Sequence, residues 1–126
     1  NLSQYVNLIG YVPHKQAIEY QKKSQVLLLI EIDSEETKCI IPGKLFEYMV
    51  SSRPILAIGP KESDVQNILR ATNTGNYFLY SDHDAIKEAV LDMFQAFRSS
   101  ELKSNAIGLK QYSRKALTSK LAELIN

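Results

Sequence analysis

Lys44, Glu47 and Ser51 stand three and four residues apart, the spacing that stacks side chains on one helix face, and they follow directly on Pro42-Gly43. Such a turn can hold an anion. Proline fits the first helical turn because its missing N–H would be unpaired there in any case, and glycine lets a ligand approach the backbone closely. The amides that follow, together with the helix dipole, favour a phosphate by about 0.3 to 1 kcal/mol at an exposed site. Lys44 would add a full positive charge, and Glu47 would offer lone pairs to hydroxyl groups. A second account of the stripe needs no ligand: Lys44 and Glu47 form a local ion pair on a helix otherwise ringed by Leu45, Phe46, Tyr48, Met49 and Val50.

Other residues of reactive type are less productive. His14 and His83 stand at expected helix starts with no second ligand at metal spacing, so they read as surface or capping residues and no metal is assigned. Cys39 has no histidine near it in sequence and reads as a small loop or core residue rather than a nucleophile. Glu31, Asp33, Glu35 and Glu36 lack the calcium-loop pattern, and solvation accounts for them. No residue is assigned a catalytic role.

The elements that must position this turn follow from hydrophobic patterning. Apolar runs of strand length alternate with helical periods, the pattern of parallel strands joined by crossover helices. Four strands are expected, over residues 5–9, 26–30, 55–58 and 77–80. The second is apolar throughout, as a central strand covered on both faces should be. A short amphipathic helix follows Pro13, with Ala17, Ile18 and Tyr20 on its apolar side. The helix carrying Glu47 is expected over residues 44–52, at the carboxyl end of the second strand, where ligands bind in open α/β sheets. Ser63 and Gln66 form a capping box ahead of Val65, Ile68 and Leu69. Asp82 or Ser81 caps a longer helix with Ile86, Val90, Met93, Phe94 and Phe97 as its buried stripe. From Ser113 onward, Leu117, Leu121, Leu124 and Ile125 fall on one side of a terminal helix expected to dock. The expected fold is α/β: a Rossmann-like parallel sheet of about four strands flanked by helices, with residues 1–126 in one domain.

Two stretches resemble a known family. Ile41-Pro42-Gly43-Lys44-Leu45-Phe46-Glu47-Tyr48-Met49 and Arg53-Pro54-Ile55-Leu56-Ala57 are similar to the donor-binding segment of family 4 glycosyltransferases, and the likeness extends from Gly10-Tyr11-Val12-Pro13 through Gly75 to Tyr112-Ser113-Arg114. The resemblance implies a GT-B fold, of which this chain would be the C-terminal portion of the nucleotide-sugar-binding domain. It implies that Glu47 accepts hydrogen bonds from the nucleotide ribose, that Gly43 and Lys44 lie near the diphosphate, and that Tyr11, Val12 and Pro13 lie near the nucleobase. The substrates implied are a nucleotide-sugar and an acceptor glycan or lipid-linked sugar, the latter held by an N-terminal domain beyond this chain, with no cofactor and no metal.

The chain departs from the family twice. Cys39 stands where retaining members carry a glutamate eight residues before the ribose-binding one, and Glu35 or Glu36 could replace it only from a remodelled loop. The first two strand-helix units of the family domain are also missing, including a basic pair that grips the diphosphate. In the strand order 3-2-1-4-5-6, these units would separate residues 5–9 from residues 26–30. The fragment is then expected to close the gap by pairing those strands directly, or to fill it through contacts between copies. Nucleobase, sugar, acceptor and stereochemical outcome stay open, as does a binding-only scaffold of the same fold. A receiver-type phosphorylation switch is the reading from another class, because residues 26–33 and 54–61 superficially resemble its acidic strand end and distal lysine. It calls for two acids after the first strand, where Gly10-Tyr11-Val12-Pro13 stands.

Composition is consistent with these readings and excludes others. With 15 basic and 14 acidic side chains the net charge is +1, too small to attract nucleic acid or an anionic membrane. The seven tyrosines are scattered rather than interleaved with basic residues, which argues against a single-strand nucleic-acid platform. One cysteine cannot form an internal disulfide, which fits the cytoplasm, and the resemblance allows the whole protein to sit peripherally on the inner membrane face. Residues 26–30, the longest purely apolar stretch, fall far short of the roughly 20 residues a transmembrane helix needs. Residues 1–7 lack the features of an export signal and read as a cut within a longer protein.

Overall fold

The computed structural model describes residues 2–125. Five helices, α1 (His14–Lys23), α2 (Lys44–Val50), α3 (Asp64–Thr72), α4 (His83–Arg98) and α5 (Arg114–Ile125), flank three strands, β1 (Leu27–Ile30), β2 (Ile55–Gly59) and β3 (Gly75–Leu79). The strands form one parallel sheet in the order β1-β2-β3, with Leu27 opposite Ile55 and Ile55 opposite Gly75. Both crossovers step the same way across the sheet. Crossovers of one hand place their helices on one face, and α2 and α3 accordingly share a core with the strands. That core joins Leu29, Ile55 and Ala57 to Leu45 and Met49 of α2 and to Val65, Ile68 and Leu69 of α3.

The fourth expected strand does not form. Ser3–Tyr5 is a single 3-10 turn, residues 6–10 join no ladder, and Tyr5, Val6, Leu8 and Ile9 are all exposed. The direct pairing of residues 5–9 with residues 26–30 is therefore absent. This also corrects the place of β1. It lies at the sheet edge with Leu28 and Ile30 about half exposed, at 52% and 54%, while the central strand is β2. An unbroken apolar run reveals a strand's hydrophobicity and not how many neighbours it has.

Local signals elsewhere set the helix ends. Ser63 Oγ accepts from the Val65 amide at 3.1 Å, but Gln66 Oε1 receives the Glu62 amide rather than that of Ser63, so the expected box is shifted by one residue. Asp82 precedes α4 yet accepts from the Leu79 amide at 2.8 Å, bracing the turn rather than capping the helix. The α4 stripe is only partly covered: Val90, Phe94 and Phe97 line a groove of about 350 Å³ with Val26, Leu56 and Leu102. α2 stops at Val50, and Ser51 closes it by donating to the Tyr48 carbonyl at 2.6 Å.

The terminal helix does not dock as expected. Leu117, Leu121, Leu124 and Ile125 are all exposed, and the principal neighbour of α5 is the preceding 3-10 turn, Leu109–Tyr112. That turn makes the attachment instead. Leu109 and Tyr112 pack on the core, with the Tyr112 ring 5.9 Å from that of Phe46, and the Ile107 amide donates to the Thr72 carbonyl at 2.8 Å. Leu121→Glu is consequently expected to change stability by no more than about 0.5 kcal/mol, the range for exposed positions. A loss of more than about 2 kcal/mol on chemical denaturation would show that α5 is packed. Among the described residues no helix is long and apolar enough to cross a membrane.

Candidate functional site

α2 begins where the chain returns to the sheet after leaving β1. The two are joined across a recess of about 200 Å³ lined by Ile30, Glu31, Ile32, Thr37, Ile40, Pro42 and Lys44. This recess lies just beyond the carboxyl end of β1, the place where open parallel sheets take ligands. Its lining is mostly apolar, with one lysine and one carboxylate.

The first turn of α2 is less open than expected. Among the described residues no side chain caps it, but the Leu45 and Phe46 amides are already bonded to the carbonyls of Pro42 and Gly43, at 2.9 and 3.2 Å. Gly43 takes an ordinary helical φ of −55°, and a methyl group there would meet nothing within 4 Å. The space beside it is free, and its conformation does not require glycine. Lys44 is exposed and makes no ion pair among the described residues, so the local pair with Glu47 is not what occupies this face.

Glu47 is engaged from another helix. His14 Nε2 lies 2.8 Å from Oε1, and Gln21 Nε2 donates to Oε2 at 3.1 Å. A carboxylate only accepts, so the contact assigns the imidazole proton to Nε2. His14 and Gln21 are seven residues apart, about two turns, and reach Glu47 from one side of α1. The His14 hydrogen bond, and after it that from Gln21, hold the Glu47 carboxyl below its ordinary range. The side chain nevertheless remains 36% exposed.

His14 therefore does not cap α1, whose N-cap is Pro13, and bonds Glu47 instead. It is the link that brings the two halves of the expected site together. Tyr11, Val12 and Pro13 immediately precede it, and Tyr11 is 99% exposed. Pro13 is the N-cap of α1, its carbonyl accepting from the Gln16 and Ala17 amides at 2.9 and 3.1 Å. At the far end of α1, Arg53 Nε and Nη2 grip the Lys22 carbonyl at 2.9 and 2.6 Å.

The acids of the β1–α2 connection separate into two kinds. Glu35 pairs with Lys38 at 2.5 Å, Glu36 is exposed, and neither lines the recess. Cys39 is an exposed free thiol. Glu31, expected to be solvated, is buried instead. Ser63 Oγ donates to its two carboxylate oxygens at 2.7 and 3.0 Å, and the Tyr77 hydroxyl lies 2.5 Å from Oε2 and 2.8 Å from the Pro60 carbonyl oxygen. The Tyr80 hydroxyl donates to the Glu31 carbonyl. Burial first, and then the Glu31 hydrogen bond, push the Tyr77 hydroxyl far above its ordinary 10.0. Gly59 permits this crowding, because a methyl group there would strike both the Tyr77 hydroxyl and Glu31 Oε2. Neither the Glu31 cluster nor the Gln21 contact is visible in residue spacing, since they join residues 32, 46 and 26 positions apart.

Asp33 and Lys61, the pair a phosphorylation switch would use, form no ion pair among the described residues; Lys61 lies 3.9 Å from Glu62. No family model, curated protein or solved structure matches this chain.

Proposed function

We propose that this chain is the donor-binding portion of a GT-B glycosyltransferase, serving an enzyme that moves a sugar from a nucleotide-sugar to an acceptor hydroxyl. The reading is carried by Glu47: a partly open carboxylate in the first turn of α2, held on both oxygens and three residues after Lys44, which lines the recess at the carboxyl end of β1. Each oxygen has a second lone pair, and a ribose diol offers two O–H donors at matching separation. Lys44, free of ion pairs among the described residues, supplies a cation for the diphosphate, and the turn at Gly43 is open to its approach. Tyr11, Val12 and Pro13, joined to Glu47 through His14, form the side on which a base would rest.

The chain alone would bind nucleotide and turn nothing over, because transfer requires an oriented acceptor in the same water-excluding cleft. That acceptor, a glycan or lipid-linked sugar, would be held by the rest of the enzyme at the cytoplasmic side of the membrane. Calorimetric titration with uridine diphosphate and guanosine diphosphate tests the reading. One of the two is expected to bind, and Glu47→Ala is expected to weaken it by about tenfold or more, the value of a charge-assisted hydrogen bond pair. Equal affinity in wild type and Glu47→Ala would remove the assignment, and a transferase rate from this chain alone would contradict its division of labour.

A further inference from the structure

We infer that His14 and Gln21 are positioning residues that aim the Glu47 carboxylate at a ribose diol, an inference that rests on the nucleotide-binding reading above. A glutamate side chain rotates about three bonds, and a carboxylate that wanders cannot accept two hydroxyls at once. His14 takes one lone pair of Oε1, at 2.8 Å, and Gln21 takes one of Oε2, at 3.1 Å. The plane of the group is then set, and one lone pair remains on each oxygen.

The orientation of Gln21 shows that the carboxylate governs the contact. With Nε2 turned to Glu47, its Oε1 is buried with no hydrogen-bond partner among the described residues. Turning the amide over would set that oxygen against a negative charge, so the unpaired acceptor is the lesser penalty. Simple attachment of α1 does not require this arrangement. α1 buries no residue, and its carboxyl end is already secured by Arg53 on the Lys22 carbonyl. Attachment and aiming therefore predict different variants to matter.

The experiment compares the affinities of ribo and 2′-deoxy forms of uridine and guanosine diphosphate. Wild type is expected to favour the ribo form of the nucleotide it binds by about tenfold, and the paired substitution His14→Ala with Gln21→Ala to bring that ratio close to one. Gln21→Ala with His14→Gln, whose amide nitrogen falls near the position of Nε2, is expected to recover part of the preference. Arg53→Ala, which loosens the other end of α1 without touching Glu47, is expected to leave the ratio unchanged. Circular dichroism establishes that each variant is folded. If Glu47→Ala erases the ribose preference while the His14 and Gln21 pair of substitutions leaves it intact, aiming is wrong and the nucleotide reading survives. A wild type with no ribose preference overturns both. An Arg53→Ala variant that loses the preference as fully as the pair would reduce His14 and Gln21 to a tether.

Discussion

Gly75→Ala is expected to destabilise the fold by about 3 kcal/mol, at the upper end of overpacking effects. A methyl group at position 75 would run into the Ile55 carbonyl oxygen and lie 2.7 Å from both its carbonyl carbon and its Cβ. Ile55 is fully buried, pairs with Gly75 across β2 and β3, and donates its amide to the Thr74 carbonyl at 3.0 Å, so the neighbour cannot simply rotate away. Relief requires separating the two strands, which would weaken the ladder that makes β2 central. Gly43→Ala is the control, because its methyl would meet nothing and its φ is already helical. Denaturant midpoints of the two variants measure the contrast. A Gly75→Ala chain as stable as wild type would show that the register of β3 is wrong.

The second large effect belongs to Glu31. Glu31→Ala is expected to cost about 2 to 3 kcal/mol, because it leaves the Ser63 hydroxyl without its charged acceptor and Tyr77 with only the Pro60 carbonyl. Ser63 also caps α3, so the loss reaches the helix as well as the sheet. The same cluster makes the fold sensitive to alkali. Folding raises the Tyr77 value above the ordinary 10.0, so the folded chain retains a proton that the unfolded chain releases. This contribution is fully present below pH 10 and is lost as pH rises toward the folded value. Tyr77→Phe is expected to remove the Tyr77 share of that sensitivity, leaving the smaller contributions of Tyr48 and Tyr80, which burial also raises. Denaturant midpoints at about pH 8 and about pH 11 should fall less for Tyr77→Phe than for wild type, and parallel falls would show that Tyr77 titrates freely.

The α/β alternation was legible because it rests on local patterning. Leu27–Ile30 and Ile55–Gly59 are dense apolar runs, and Ser63 followed by Val65, Ile68 and Leu69 marks a capped amphipathic helix. What failed depends on partners that spacing does not name. Residues 5–9 have strand-like composition, but a strand exists only where a neighbour offers free amides and carbonyls, and β1 does not take them up. Leu117, Leu121, Leu124 and Ile125 form a plausible stripe, yet the attachment falls to Leu109 and Tyr112, which reach the core before α5 begins.

At the candidate site the same division holds. The Pro42-Gly43 turn and the placement of Glu47 in the first turn of α2 are local and were readable. The contact that gives Glu47 its orientation spans 33 residues and comes from a histidine that, by position, suggested nothing more than a helix start. Burial of Glu31 was hidden for a related reason: four acids in one loop look alike until the fold brings Ser63 and Tyr77 to one of them.

We propose that the Glu47 carboxylate receives the pentose of a nucleoside diphosphate. The most direct measurement is a structure of this chain with uridine diphosphate or guanosine diphosphate bound. Both ribose hydroxyls are predicted to lie within about 3 Å of the Glu47 oxygens, with His14 and Gln21 still in place and the diphosphate beside Gly43 and Lys44. A nucleotide seated elsewhere, such as the apolar groove between α4 and Leu56, with Glu47 contacting only His14 and Gln21, would contradict it.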